Sequence, residues 1–297
     1  EQIVVSCGAK HSLFNVIQVL ADDGDEVLIP SPYWVSYPEM VRVAGAVPRF
    51  IPTTAESRFK VDAEMLQKHI TKQTKIFILN SPSNPTGMIY SFEELRPIAE
   101  LCVKNRIWII SDEIYEKLIY ESSLCPSIAS LGPEVYARTI TVNGFSKAFS
   151  MTGWRVGYCA GPQEIMDYVK KFQDHSTSNP CSVSQKAALQ ALGSSEESIL
   201  AMREEFKQRR DLLMSLMDEI PGVTYIKPEG AFYLFCDFSA LGDSQDVAKR
   251  ILNDVNVALI PGDGFGAPGF IRISFSTSKE RIREGVKRLA AWIAKNR

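Results

Sequence analysis

Short β-branched runs at residues 3–6, 26–29, 47–51, 75–79, 107–111, 139–142 and 156–160 are separated by stretches of helical periodicity. That alternation limits the chain to an α/β fold built on a mostly parallel sheet. The clearest intervening helix begins at Ser91, where Ser91-x-x-Glu94 has the form of a capping box. Leu95, Ile98, Ala99, Leu101 and Cys102 carry it to Asn105. A longer helix is expected over residues 196–219, with Ile199, Met202, Phe206, Leu213, Leu216 and Met217 on one stripe and Pro221-Gly222 as its stop. Beyond it, strands are expected at 231–235, 258–260 and 270–274, with a closing helix over 279–295. The chain therefore divides into a large domain, residues 1–200, and a small C-terminal α+β domain, residues 201–297.

Bulk composition narrows the function. Thirty-three Lys and Arg against thirty-five Asp and Glu leave a net charge of −2, and no dense basic run offers a nucleic-acid surface. An anionic ligand must then be met by a few well-placed cations. The six cysteines have neither C-x-x-C pairing nor metal-ligand spacing beside the three histidines, so a reducing, cytoplasmic setting is expected, with no metal site and the histidines structural. No apolar run reaches the ~18 residues of a membrane span. The sequence opens on Glu1 and runs straight into a strand, so an upstream segment is expected, where any targeting signal would lie.

In an open parallel sheet, ligands gather outside the carboxyl ends of the strands, where helix N-termini and loop amides converge. Polar residues at those places are Gly8-Ala9-Lys10, the segment from Asn80 to Gly87, Asp112 to Tyr115, and Asn143 to Lys147. Singly each has a plain explanation: Asp112 as a helix cap, Asn84-Pro85-Thr86-Gly87 as a turn, Lys147 as a surface lysine, Trp34 as core packing. Gly262-Asp263-Gly264-Phe265-Gly266 lacks the spacing of a nucleotide loop and reads as a flexible turn.

Taken in order, Ser31-Pro32-Tyr33-Trp34, Asn84-Pro85-Thr86-Gly87, Ser111-Asp112-Glu113-Ile114-Tyr115, Gly144-Phe145-Ser146-Lys147 and Gly153-Trp154-Arg155-Val156-Gly157, followed by Arg272, resemble the signature of class I aminotransferases along nearly the whole chain. The tract from Pro32 to Met40 is similar to the bacterial and plant subgroup of aspartate aminotransferases. The resemblance implies the type I fold of pyridoxal-phosphate enzymes and a ping-pong transfer of an amino group between aspartate or glutamate and 2-oxo acids.

It also implies roles. Lys147 would carry the cofactor as an imine and move the Cα proton, which needs a destabilised ammonium. Asp112 would face the ring nitrogen, Tyr115 and Asn84 the phenolic oxygen, and Trp34 the ring face, with Ser146 also lining the cofactor. Tyr115 is placed one helical turn beyond Asp112. The phosphate would meet Gly8, Ala9, Lys10 and Arg155, with Arg155 the stronger anchor. Gly144 stands where relatives carry a hydroxyl, which puts that contact in doubt. Arg272 would fork onto the substrate α-carboxylate, the alternative being an internal ion pair with a glutamate. Lys10 would read the substrate's distal carboxylate or supplement the phosphate site. Trp34 and Asn84 would also touch substrate, and a homodimer with shared sites is expected. The same constellation can serve a carbon-sulfur lyase, an aminocyclopropane-carboxylate synthase or a non-catalytic sensor domain.

Overall fold

The computed structural model describes residues 2–122, 124–194 and 196–296. The chain runs β1 (Ile3–Ser6), α1 (Ala9–Leu20), β2 (Glu26–Ser31), α2 (Ser36–Val43), β3 (Val47–Pro52), α3 (Ala63–His69), β4 (Thr74–Asn80), α4 (Phe92–Lys104) and β5 (Trp108–Asp112). It continues through α5 (Pro133–Tyr136), β6 (Thr139–Gly144), α6 (Phe145–Ala148), β7 (Gly157–Ala160), α7 (Gln163–Asp174), α8 (Ser182–Leu192) and α9 (Glu197–Met217). The last part holds β8 (Thr224–Tyr225), β9 (Tyr233–Asp237), α10 (Ser244–Val255), β10 (Ile260–Pro261), β11 (Phe270–Ser274) and α11 (Lys279–Asn296).

The first seven strands form one sheet in the order β1-β7-β6-β5-β4-β2-β3. All its pairings are parallel except those of β7, which runs against both β6 and β1. The inner strands β2, β4, β5 and β6 therefore read as near-continuous apolar runs covered on both faces. Leu13, Val16 and Ile17 of α1 pack with Ile78, Ile110 and Val142 on one side, while Leu95, Ile98 and Cys102 of α4 pack with Phe77, Leu79 and Ile109 on the other. The capping box of α4 is formed: Ser91 Oγ accepts from the Glu94 amide, and Glu94 Oε2 accepts from the Ser91 amide at 2.7 Å.

A second, antiparallel sheet has the order β10-β11-β9-β8 and its own core with α9, α10 and α11. The proposed division between residues 200 and 201 falls inside α9. Met202 and Phe206 there touch the first core, while Leu213 and Met217 are buried in the second.

Three expectations shift. The strand expected at 231–235 lies at Tyr233–Asp237, because Ala231 adopts a left-handed backbone (φ 57°) and gives its amide to Leu118 O, so the chain extends only after it. The strand expected at 258–260 is reduced to Ile260–Pro261. The segment 262–266 is a fixed 3₁₀ turn rather than a flexible one: Phe265 is buried, its carbonyl accepts from the Tyr33 amide, and Gly266 O accepts from Ser31 Oγ at 2.7 Å.

Candidate active site

Strand direction decides what meets at one rim of the large sheet. β4, β5 and β6 are parallel, and β1, antiparallel to β7, points the same way, so their carboxyl ends lie together. Asn80 is in register with Asp112, and Gly157 with both Gly144 and Ser6. Because β7 is reversed, it brings its start to this rim, and with it Arg155.

Asp112 ends β5, 4% exposed. Its Oδ2 accepts the Tyr37 hydroxyl at 2.6 Å and its Oδ1 the Ile114 amide at 3.2 Å. No helix follows it, so the helix-cap explanation fails, and Tyr115 is carried by a turn rather than by a helical turn as expected. Burial pushes the Asp112 carboxyl up to about 6, opposed by the Tyr37 hydroxyl, the Ile114 amide and the Lys147 charge.

Lys147 sits in α6, directly after β6, and is half-buried. Burial, then Arg155 and Arg272, lower the pKa of its ammonium, while Asp112 works the other way. Its Nζ lies 5.2 Å from the Phe232 ring centroid and 5.8 Å from that of Tyr115. A lysine so placed sheds its proton more readily than one in water, the first requirement for a nucleophilic amine.

At the rim's other end, α1 begins at Gly8 (φ 89°) without any side-chain cap, leaving its first amides open. Arg155 Nη1 donates to Thr152 O at 2.8 Å, and its Nη2 lies so close to Gly8 that a Cβ there would come within 2.4 Å. A Cβ on Gly157 would lie 2.3 Å from the Ala9 nitrogen. The two glycines thus let a guanidinium and a helix N-terminus stand side by side, a strong anion site in a chain of low net charge. Gly144 faces Gly157 across the β6–β7 ladder, where a Cβ would meet Gly157 Cα at 2.9 Å, so a hydroxyl side chain has no room.

Arg272 comes from β11 of the second sheet. Its Nη1 donates to Asn84 Oδ1 at 2.7 Å, and its guanidinium carbon lies 4.2 Å from the Tyr233 ring centroid and 4.8 Å from that of Phe265. Among the described residues no carboxylate pairs with it, so the internal ion pair does not form, and Nε is buried without a partner. A fixed, half-buried guanidinium lacking its anion is costly unless one arrives.

One cavity of about 300 Å³ is lined by Ala9, Lys10, Trp34, Asn84, Asp112 and Tyr115 and, on its other side, by Ser146, Lys147, Arg155 and Arg272. Gly8 stands behind Arg155. Every expected site residue is therefore at or against this one space. Trp34 packs edge-on to Tyr37 at 5.3 Å, and Lys10 Nζ lies 4.9 Å from the Trp34 ring centroid. Tyr37, Thr152 and Tyr233 also line the cavity and were missed, and Asn80, which opens the rim segment named from the sequence, lines it without having been given a role. Tyr37 had a signal, three residues after Trp34 at helical spacing. Asn80 ties the loops together, donating to Asp112 O at 3.0 Å and accepting the Asn84 amide at 2.8 Å. The histidines lie outside the cavity lining, and no cluster of metal-binding side chains occurs among the described residues.

Comparison with known proteins places these features in context. The aminotransferase class I and II family matches residues 1–289. An aspartate aminotransferase of Bacillus sp. (strain YM-2) is 47% identical, over 98% of this chain and 76% of its own. A probable aspartate/prephenate aminotransferase of Aquifex aeolicus is 46% identical, over 97% and 75%. Among solved structures, the aspartate aminotransferase of Thermus thermophilus with maleate superposes with a TM-score of 0.93 at 41% identity, covering 98% of this chain and 75% of that one.

Proposed function

This chain belongs to the aminotransferase class I and II family, and from that membership we infer its reaction: it is a transaminase that moves an amino group between aspartate or glutamate and 2-oxo acids, using pyridoxal phosphate. The observation that carries the reading is the convergence of Lys147, Asp112, Arg155 and Arg272 on one cavity. The relatives reported above are named as transaminases, which favours amino transfer over elimination chemistry or a sensor role.

The residues fit the cofactor. An uncapped helix N-terminus beside Arg155 suits a phosphate, a buried carboxylate suits a pyridinium nitrogen, and a lysine with lowered pKa suits an aldehyde. When bound, pyridoxal phosphate supplies an electron sink for charge developing at the substrate Cα. The backbone of Gly8, Ala9 and Lys10 at the α1 N-terminus and the Arg155 guanidinium would hold its phosphate, Asp112 its ring nitrogen, Asn84 and Tyr115 its phenolic oxygen, Trp34 its ring face, and Ser146 the wall beside it. Lys147 would hold it covalently, yield to the incoming amino acid and then move the Cα proton as a neutral amine. Arg272, already fixed by Asn84, orients the substrate's α-carboxylate so that the Cα–H faces that amine. The second 2-oxo acid uses the same groups in reverse.

We place the protein in a homodimer. An apolar groove of about 640 Å³ between β1 and α8 exposes Ile3 (63%), Leu189 (63%) and Leu192 (64%). It reaches Phe145 and Val156, the neighbours of Ser146 and Arg155, so a second copy seated there would adjoin the site. Six free cysteines fit a reducing cytoplasm. No helix among the described residues is long and apolar enough to cross a membrane.

The test is a substrate-pair screen. Cofactor-loaded protein given aspartate and 2-oxoglutarate should yield oxaloacetate and glutamate, with prephenate assayed as an alternative acceptor. Activity confined to apolar donors would overturn the dicarboxylate reading. The position of Lys10 over Trp34 in the same cavity supports its reading the distal carboxylate. Lys10→Ala should then lower kcat/KM for aspartate about 10- to 150-fold, equivalent to ~1.5–3 kcal/mol for a charged hydrogen bond, while sparing apolar amino acids. Equal losses for both, with weaker cofactor retention, would assign Lys10 to the phosphate.

A further inference from the structure

Two buried hydroxyls no sequence argument had paired meet beside Lys147: Tyr115 Oη and Tyr233 Oη lie 2.9 Å apart, their rings edge to face at 5.9 Å. Tyr115 comes from the turn after β5 and Tyr233 from the first residue of β9, so the bond joins the two sheets inside the cavity wall. Arg272 covers the Tyr233 ring, its guanidinium carbon 4.2 Å from the centroid. We propose that Tyr233 is a positioning residue of the transaminase site, whose hydroxyl donates to Tyr115 and thereby sets the hydrogen-bond strength Tyr115 offers to the cofactor's phenolic oxygen.

A tyrosine hydroxyl has one proton and can accept through its lone pairs. If Tyr115 spends its proton on the cofactor, as the reading above has it, the short contact to Tyr233 requires the Tyr233 proton to point at Tyr115. Accepting that bond polarises the Tyr115 O–H and strengthens it as a donor, by ~10–30% in buried chains. The charged groups around the pair, Asp112, Lys147 and Arg272, fix the direction further. Arg272 favours the ionised form of both hydroxyls, whereas Asp112 works against ionisation of Tyr115, so of the two Tyr233 is the readier proton donor. Tyr233 thus links the guanidinium that receives the substrate carboxylate to the hydroxyl that faces the cofactor, by a route separate from the Arg272–Asn84 hydrogen bond.

The proposal rests on Tyr115 facing the cofactor, and the experiment separates the two. Cofactor-loaded protein is titrated by its visible spectrum, and the pH midpoint of the band change is compared in wild type, Tyr233→Phe, Tyr115→Phe and the double variant. A donor to the phenolic oxygen stabilises its negative charge and disfavours the proton-bound form, so losing donor strength raises the midpoint. Tyr233→Phe keeps the ring under Arg272 and should raise the midpoint by about 0.3–1 pH unit, the scale of a partial strengthening of one buried bond. Tyr115→Phe should raise it more, and adding Tyr233→Phe to that background should change nothing further. No shift in Tyr233→Phe, or the same shift in both backgrounds, overturns the proposal alone. No shift in Tyr115→Phe overturns it together with the assignment of Tyr115.

Discussion

Lys147→Ala should leave a protein that still takes up pyridoxal phosphate but no longer fixes it. The phosphate anchors, the α1 N-terminus and Arg155, stand apart from residue 147 in sequence and are untouched by the change. Turnover should fall at least ~10²–10⁴-fold, the share of a positioned proton-transfer group, with the lost covalent attachment adding to it. Borohydride reduction of the wild type followed by peptide mass analysis should put the pyridoxyl mass on Lys147. Lys10 is the other lysine lining the cavity, and finding the mass there would defeat the assignment.

Asp112→Asn is the second large effect expected. The amide can keep the Ile114 contact through its oxygen and meet Tyr37 by donating from its nitrogen to the hydroxyl oxygen, so folding and cofactor retention should survive, whereas the negative charge that would hold the ring nitrogen protonated is gone. A fall of ~10²–10³-fold in kcat, with KM little changed, follows if the charge acts mainly as substrate Cα–H is broken. The wild-type carboxyl is ionised above about pH 6 and loses its charge as pH falls through that value. A cation placed against it lowers that midpoint, so the acid limb of activity should lie at or below pH 6. Near-normal turnover in the Asp112→Asn variant would reduce Asp112 to a structural role.

The large sheet was legible because each of its strands is a compact apolar run flanked by a helical period, and the rim residues were legible because parallel strands deliver their carboxyl ends to one place. Arg272 stood out as a charge between apolar residues of a strand, whereas Lys147 and Asp112, each with a plain explanation taken singly, were legible only through the ordered motifs they belong to. The second sheet was read less well for a specific reason: alanine seldom takes a left-handed backbone, and Ala231 does so under the pull of Leu118 O. Tyr233 was hidden for the same reason, since an apparent strand at 231–235 buries it among apolar neighbours instead of aiming it at Tyr115. The turn at 262–266 looked slack because its partners, Ser31 and Tyr33, lie far earlier, with Ser31 and Gly266 separated by 235 positions. Local sequence records what a residue prefers, and these positions were decided by groups far along the chain.

The placement of β1 at the sheet edge also has a meaning in time. Among the described residues its one strand partner is β7, and Ile3 pairs with Ala160. A ribosome adding roughly 5–20 residues per second needs on the order of 8–30 s between making these two strands. During that interval the strands from β2 to β6 can already associate, but β1 has no ladder to join. The Gly8 terminus and Arg155 therefore come together in a single late event, when the reversed strand emerges and closes the edge. The nascent protein acquires its anion-binding half only after the rest of its large sheet has been synthesised.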